Sequence, residues 1–317
     1  MVKIKSYVIN LVGNRTKRTI NKPSTTFVDH VFATIYDVND RIQTETLDNG
    51  VNGVGIDQTT TYTWNATKQS SKVVVIPTTS TVTQAFSYNL QGYLASAITE
   101  TKNGSNAVTS RTQVEYQYDP LGIRRLSMES TDSNLATPAF DKVVGNKTEY
   151  LIDHTNMTGY AQTVIETTKN SSDQVIKRIT YTFGTDELTQ NVVTLNPTTQ
   201  AILTQVTHSF GHDGLTNVRV LFDASAAINQ VYMFAAYGQL LAIHNLQSNV
   251  VGIIGQANLE SLANTSMLAD GESFDTRIGQ RYLRARWQRD NLFLTYDPFA
   301  GNPLDPLVVK KVSATVY

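Results

Sequence analysis

EYQYDPLGIRR, residues 115–125, places an aromatic residue before an Asp, a Gly three residues further on, and arginines after it. The chain writes the same order in YVINLVGNRTKRT (7–19), IYDVNDRI (35–42) and SYNLQGYL (87–94). With Asn65 of YTWNATKQ included, the Asp or Asn positions are Asn10, Asp37, Asn65, Asn89 and Asp119, at steps of 27, 28, 24 and 30 residues. Such steps are a repeat period. Each copy has a physical reading as a hairpin. The aromatic ends a strand on a packed face, Asp or Asn folds its side chain back onto the turn, and Gly13, Gly92 or Gly122 supplies the positive φ that the turn needs. In the Asp37 copy Asp40 holds the Gly place, so a looser or longer turn is expected there. One hairpin is marginally stable, and stacked repeats are the remedy.

The rest of the chain reads in the same idiom. TTTYTW (59–64), SKVVVI (71–76), TEYLID (148–153), KRITYTF (177–183) and NVRVLFD (217–223) are short, rich in Thr, Val, Ile and Tyr, and bounded by turn residues, which is the strand signature. The fold class is therefore all-β, a curved antiparallel sheet of repeated hairpins. One exception is GQANLESLANTSMLADGES, where Leu259, Leu262, Ala263, Met267 and Leu268 approach i, i+3, i+4 spacing and Gly271 can end a helix. The spacing predicts one short helix over 256–269. The domain reading is 1–145 as degenerate repeat hairpins, 146–305 as a second region, and 306–317 as a divergent tail.

Composition excludes several classes of function. Over 317 residues the net charge is −1 and charged residues are 17%, so no electrostatic footprint for nucleic acid or anionic membrane is expected. Cysteine is absent, which removes disulfides, thiolate catalysis and Cys-ligated zinc. MVKIKSYVINLVGNRTK lacks the apolar core of a signal peptide, and VYMFAAYGQLLAI (231–243) is too short for a membrane-spanning helix.

The aromatic-Asp-x-x-Gly-x-Arg/Leu repeats resemble those of the RHS, or YD-repeat, proteins. HDGLTNVRVLFDASAAINQVYMFAAYG (212–238) is similar to a stretch of the RHS repeat-associated core, with Thr216 and Asn217 in place of its Gly-Ser and Ala235 in place of its Asp. GESFDTRIGQRYLRARW (271–287) carries that core's most recognisable residues, Glu272, Phe274, Asp275, Gly279, Tyr282, Leu283, Arg284, Ala285 and Arg286. LTYDPFAGN (294–302) follows in family order, and the resemblance runs from about residue 7 to 305. What it implies is a spiral β-sheet closed into a shell around a C-terminal polypeptide, often a toxin, in proteins akin to the extracellular teneurins. In such proteins the core plugs one end of the shell, and in some it cleaves itself from the cargo as an aspartyl protease.

That chemistry needs two carboxylates sharing a proton, and the candidates are Asp290, Asp297 and Asp305. Asp297 matches the family's Asp-Pro. The continuation departs from the family: Trp287-Gln288-Arg289-Asp290 replaces an aromatic-aromatic-Asp-Pro run, and Asp305-Pro306-Leu307 only echoes the cleavage motif. The motif is incomplete, and Asp297 and Asp305 are read as opening Asp-Pro turns. His208, His212 and Asp213 lie among strand and turn residues, so a helical metal site is not expected. NGVNGVGID (49–57) lacks the Lys-Ser/Thr of a phosphate loop. The arginines at 277, 281, 284, 286 and 289 are read as pairing with carboxylates and carbonyls to fix the plug.

The expectation is a structural protein without turnover or cofactor, a shell segment whose partner is a polypeptide cargo or neighbouring shell segments. The rival readings are self-cleavage and a module binding cell-surface glycans. The resemblance places such a protein outside the cell or at its surface, as part of a larger chain.

Overall fold

The computed structural model describes residues 3–11, 14–21, 30–48, 55–65, 68–156, 161–184, 186–214, 217–234, 240–245, 249–253, 259–268, 273–278, 280–282 and 295–296. The architecture is all-β, and nineteen strands belong to one antiparallel sheet. Two compact units are distinguished, Met1–Ser87 with Ser96–Gln113 and Thr131–Val143, and Tyr88–Ala95 with Val114–Ser130 and Val144–Tyr317. Among the described residues no helix is long and apolar enough to cross a membrane.

In the first unit β1 (Lys3–Ile9), β2 (Arg15–Asn21), β3 (His30–Tyr36), β4 (Ile42–Asp48), β5 (Gln58–Asn65), β6 (Lys68–Ile76) and β7 (Ser80–Tyr88) each pair antiparallel with the next. This unit also holds most of β8 (Leu94–Asn103) and the start of β9 (Val108–Tyr118). Period-two burial puts Thr60 and Tyr62 of β5 inward, beside Phe32, Ile42 and Leu47. Arg18, buried on the same unit, lays its guanidinium 3.9 Å from the Phe32 ring centroid, a cation–π contact that lets a charge sit among apolar residues.

The second unit contains most of β10 (Arg124–Asp132) and the run β11 (Lys142–Asp153), β12 (Gln162–Lys169), β13 (Val175–Phe183), β14 (Glu187–Leu195), β15 (Ile202–His212), β16 (Val218–Phe222), β17 (Ile228–Phe234), β18 (Leu240–His244) and β19 (Val250–Ile253). From β11 to β19 every strand pairs antiparallel with its successor. A small sheet of β20 (Ser273–Asp275), β21 (Gln280–Tyr282) and β22 (Thr295–Tyr296) follows. Val218, Leu221, Tyr232, Leu240, Ile243, Leu259, Met267, Leu268 and Ile278 form the unit's core.

The helix expected over 256–269 is not formed as such. Among its described residues there is a single 3-10 turn, Leu259–Leu262, packed against β18 and β19. Beyond it the backbone groups that would extend a helix are taken by side chains of the sheet. Gln230 donates to the Leu262 carbonyl at 3.0 Å and accepts from the Asn264 N–H at 2.8 Å, while Gln190 donates to the Asn264 carbonyl at 2.7 Å. Thr265 Oγ1 accepts from the Met267 N–H at 3.1 Å. Of the apolar residues in that spacing Leu259, Met267 and Leu268 are buried while Leu262 is exposed, and Asn, Thr and Ser in the middle of it offer these competing bonds.

Candidate functional site

The repeat turns share one geometry. Asp119 Oδ1 accepts the N–H groups of Leu121 at 2.9 Å and Ile123 at 2.8 Å, and Gly122 lies at φ 81°. Asn89 accepts the Tyr93 N–H at 2.8 Å, with Gly92 at φ 86°, and Asn10 accepts the Asn14 N–H at 2.8 Å. Gly13 lies outside the described residues, as do 66–67, across which Asn65 pairs with Lys68. The Asp37 turn is neither looser nor longer. Asp40 takes φ 61°, and the Asp37 N–H still closes on the Arg41 carbonyl at 2.8 Å. The left-handed conformation costs about 1 kcal/mol, and Asp40 offsets it by accepting a bond from Asn14 Nδ2 of the preceding repeat at 2.8 Å.

A second series of the same turn escapes the sequence pattern. Asn103, Asn170 and Asp223 each accept two backbone N–H groups within their turns, and Asn106, Asp173 and Ala226 stand at φ 64°, 64° and 63° in the Gly place. Asn245 accepts the Asn249 N–H, and Asp213 that of Asn217. Asp or Asn five residues before the first residue of the returning strand is the general signal; requiring Gly hides most of it.

The aromatic has its own task. Tyr36 donates to the Arg15 carbonyl at 3.0 Å, Trp64 Nε1 to the Ile42 carbonyl at 2.7 Å, and Tyr118 to the Leu94 carbonyl at 2.8 Å. In each case the acceptor is the fifth residue after the Asp or Asn of the preceding repeat: Arg15 after Asn10, Ile42 after Asp37, Leu94 after Asn89. The ladder slips register opposite Tyr36 and Trp64, immediately before the turn, with the extra residue, Gln43 or Ser70, on the returning strand. The motif is thus a hairpin turn plus a clasp on its neighbour. Tyr118→Phe is expected to lose about 1 kcal/mol of stability in urea denaturation, since the ring contact with Tyr93, centroids 5.0 Å apart, remains; no loss would mean that the clasp is idle.

EYQYDPLGIRR also supplies the receptor for a residue distant in sequence. The buried Asp275 carboxylate, on β20, takes Arg277 Nε and Nη2 at 2.7 Å each, Arg124 Nη1 at 3.1 Å and the Tyr116 hydroxyl at 2.9 Å. Arg124 lies 4.0 Å from the Tyr116 ring centroid, and Arg277 Nη1 also reaches Ser127 Oγ at 3.0 Å and Glu129 Oε1 at 3.2 Å. Burial would push the Asp275 carboxyl up, but the Arg277 and Arg124 guanidiniums and the Tyr116 hydroxyl outweigh it and hold it at about 2. The same burial, with the neighbouring carboxylate, raises Tyr116 well above the ordinary tyrosine range. A carboxylate so held stays ionised at neutral pH and is unsuited to shuttling protons. Its role here is that of an anchor, joining β20 to Tyr116 and Arg124.

A cavity of about 470 Å³ opens beside the anchor. Thr148, Thr168, Ser266 and Ser273 line it together with Glu166 and Arg277. Arg277 is engaged in the wall by Asp275 and Glu129, and Glu166 accepts the Tyr181 hydroxyl at 3.0 Å, while Lys177 also lines the cavity.

Of the other sequence-predicted residues, Phe274 is buried on β20, and Tyr282 pairs with Ser273 across β20 and β21. Glu272, Gly279, Leu283, Arg284, Arg286, Asp290, Asp297 and Asp305 lie outside the described residues. His208 lies in β15, its Nδ1 3.2 Å from Gln190 Nε2, and His212 ends that strand.

No family model matches the chain, and no curated protein matches it. Among solved structures it is similar to TcdB2-TccC3-Cdc42 at 12% identity and a TM-score of 0.43, over 95% of this chain and 15% of that one. TcdB2-TccC3 without its hypervariable C-terminal region aligns at 12% identity and a TM-score of 0.37, over 94% and 18%. A porin-like protein from Bacteroides uniformis aligns at 13% identity and a TM-score of 0.35, over 63% and 86%. The chain spans about a sixth of the length of the first two.

Proposed function

We propose that this chain is a structural segment of an RHS-type β-shell that encloses or presents a C-terminal, toxin-like polypeptide, without catalytic turnover. The observation that carries this reading is the clasp: in three repeats the aromatic, Tyr36, Trp64 or Tyr118, bonds the carbonyl five residues past the preceding repeat's Asp or Asn. A bond that links successive hairpins in constant register is what a wall needs and what a catalytic scaffold does not. The anchor at Asp275 adds support, since it ties the segment after the repeats to Tyr116 and Arg124.

A protease-labile reporter polypeptide fused after Tyr317 tests the reading. Its half-life under limited proteolysis should rise at least ~10-fold over the same reporter on an unrelated β-protein, as a low population of exposed states implies. Equal half-lives would overturn the enclosing role. Mass spectrometry of the same fusion should find the reporter still attached; release near Asp305 that Asp297→Asn abolishes would overturn the absence of turnover.

A further inference from the structure

The strap 259–268 is fastened to the sheet from two sides. On β17, Gln230 bonds the Leu262 carbonyl and the Asn264 N–H, and Asn229 Oδ1 accepts from Asn264 Nδ2 at 2.7 Å. On β14, Gln190 reaches the strap through its 2.7 Å bond to the Asn264 carbonyl. Gln190 stands opposite His208 of β15 in the ladder, and the two side chains are buried, at 1% and 5% exposure.

The bonds fix the protonation state of His208. A carbonyl oxygen can only accept, so the Gln190 atom on the Asn264 carbonyl is the amide nitrogen. That same nitrogen lies 3.2 Å from His208 Nδ1. Nδ1 must therefore accept, which puts the ring proton on Nε2. One amide group serves strap and histidine with its two hydrogens, and the arrangement fits a neutral imidazole.

A protonated His208 would carry hydrogen on both ring nitrogens and set Nδ1–H against the Gln190 N–H. Turning the amide over offers Oε1 to Nδ1–H, but it also sets Oε1 against the Asn264 carbonyl oxygen. The strap then loses its bond to β14. Gln190 and Asn264 bring no charge to the ring. Among the described residues the charged group that faces it is Asp223, whose Oδ1 is already engaged by the N–H groups of Ser225 and Ala227 and by the Ser225 hydroxyl. Burial outweighs Asp223 and holds the imidazole below its ordinary 6.5. Asn264 is exposed, so water can take up its carbonyl once the amide has turned.

We propose that His208 and Gln190 form a latch that acid releases: as His208 takes up a proton, the Gln190 amide turns and Asn264 of the strap detaches from β14. β17 keeps its hold, so the loosening is local and the sheet stays folded. The latch is complete above the ordinary histidine value and is lost as pH falls through the lowered one.

Hydrogen exchange of the full chain at about pH 7.5 and about pH 5, corrected for the intrinsic pH dependence of exchange, tests the proposal. Protection of the amides of 264–267 should fall at least ~10-fold between the two, the factor that one pH unit represents, while β12 and β13 keep theirs. The Asp275 anchor is intact throughout that range, because its carboxyl is held at about 2. His208→Gln puts an amide oxygen where Nδ1 stood and cannot titrate, so its strap should be equally protected at both pH values. Gln190→Met removes the bond to Asn264 and should leave the strap as open at the higher pH as the wild type is at the lower. The proposal is overturned by wild-type protection that does not change with pH, by a pH response that survives in His208→Gln, or by a Gln190→Met strap protected like the wild type at the higher pH.

Discussion

Asp275→Asn is expected to cost about 3–5 kcal/mol, because it removes the buried charge that the buried Arg124 and the half-buried Arg277 guanidiniums share. Arg124 and Arg277 are both held against that carboxylate, and Arg124 is 4% exposed. The amide can keep the Tyr116 bond by accepting it, but it cannot neutralise either arginine. Urea denaturation of the full chain measures the loss, and Arg124→Met in the Asp275→Asn background should recover part of it, since an apolar side chain of similar volume carries no charge to desolvate. A loss below about 1 kcal/mol would reduce the anchor to the level of a surface ion pair.

The anchor also predicts an acid limb. The carboxyl is held at about 2, below its ordinary 3.8, so its contribution is complete above the ordinary value and is lost as pH falls through the lowered one. At about 1.4 kcal/mol per pH unit the contribution is roughly 2 kcal/mol. The stability gap between the wild-type chain and Asp275→Asn should therefore narrow as pH is lowered from about 5 to 2. A gap that is constant over that window would show that ionisation of Asp275 is not what stabilises it.

Gly104→Ala should be the most damaging small substitution in the first unit, at about 2–3 kcal/mol. An ideal Cβ on Gly104 would lie 2.1 Å from the Thr78 carbonyl oxygen and 2.8 Å from its carbon. Both atoms are backbone, in a turn where Thr78 already stands at φ 60°, so no side chain can swing aside. The turn between β8 and β9 leans directly on the turn between β6 and β7, and a methyl group must push one of them away. Gly214→Ala is the control: its Cβ would meet nothing within 4 Å, and the change should be neutral or slightly stabilising. Similar denaturation midpoints for the two variants would contradict the close approach.

The repeat was legible from the chain because each turn is local: Asp119 bonds Leu121 and Ile123, within four residues of itself. Asp and Asn announce such turns wherever they stand. Gly does not, because Asn106, Asp173 and Ala226 occupy its conformation at a modest cost that the turn's own bonds offset. The burial of Leu259, Met267 and Leu268 was legible too, but not the absence of the helix, since Gln190 and Gln230 come from strands far off in sequence to claim the backbone there.

By itself the sequence determined the all-β class, the hairpin period and the turn chemistry, all set by interactions between residues a few positions apart. Only the tertiary structure decided that the aromatic clasps the preceding repeat, that Asp275 docks between Tyr116 and Arg124, 159 and 151 residues away, and that Gln190 stands between His208 and Asn264. Each of these depends on which strands stop where and which faces meet, and a local pattern carries no record of a partner so far along the chain.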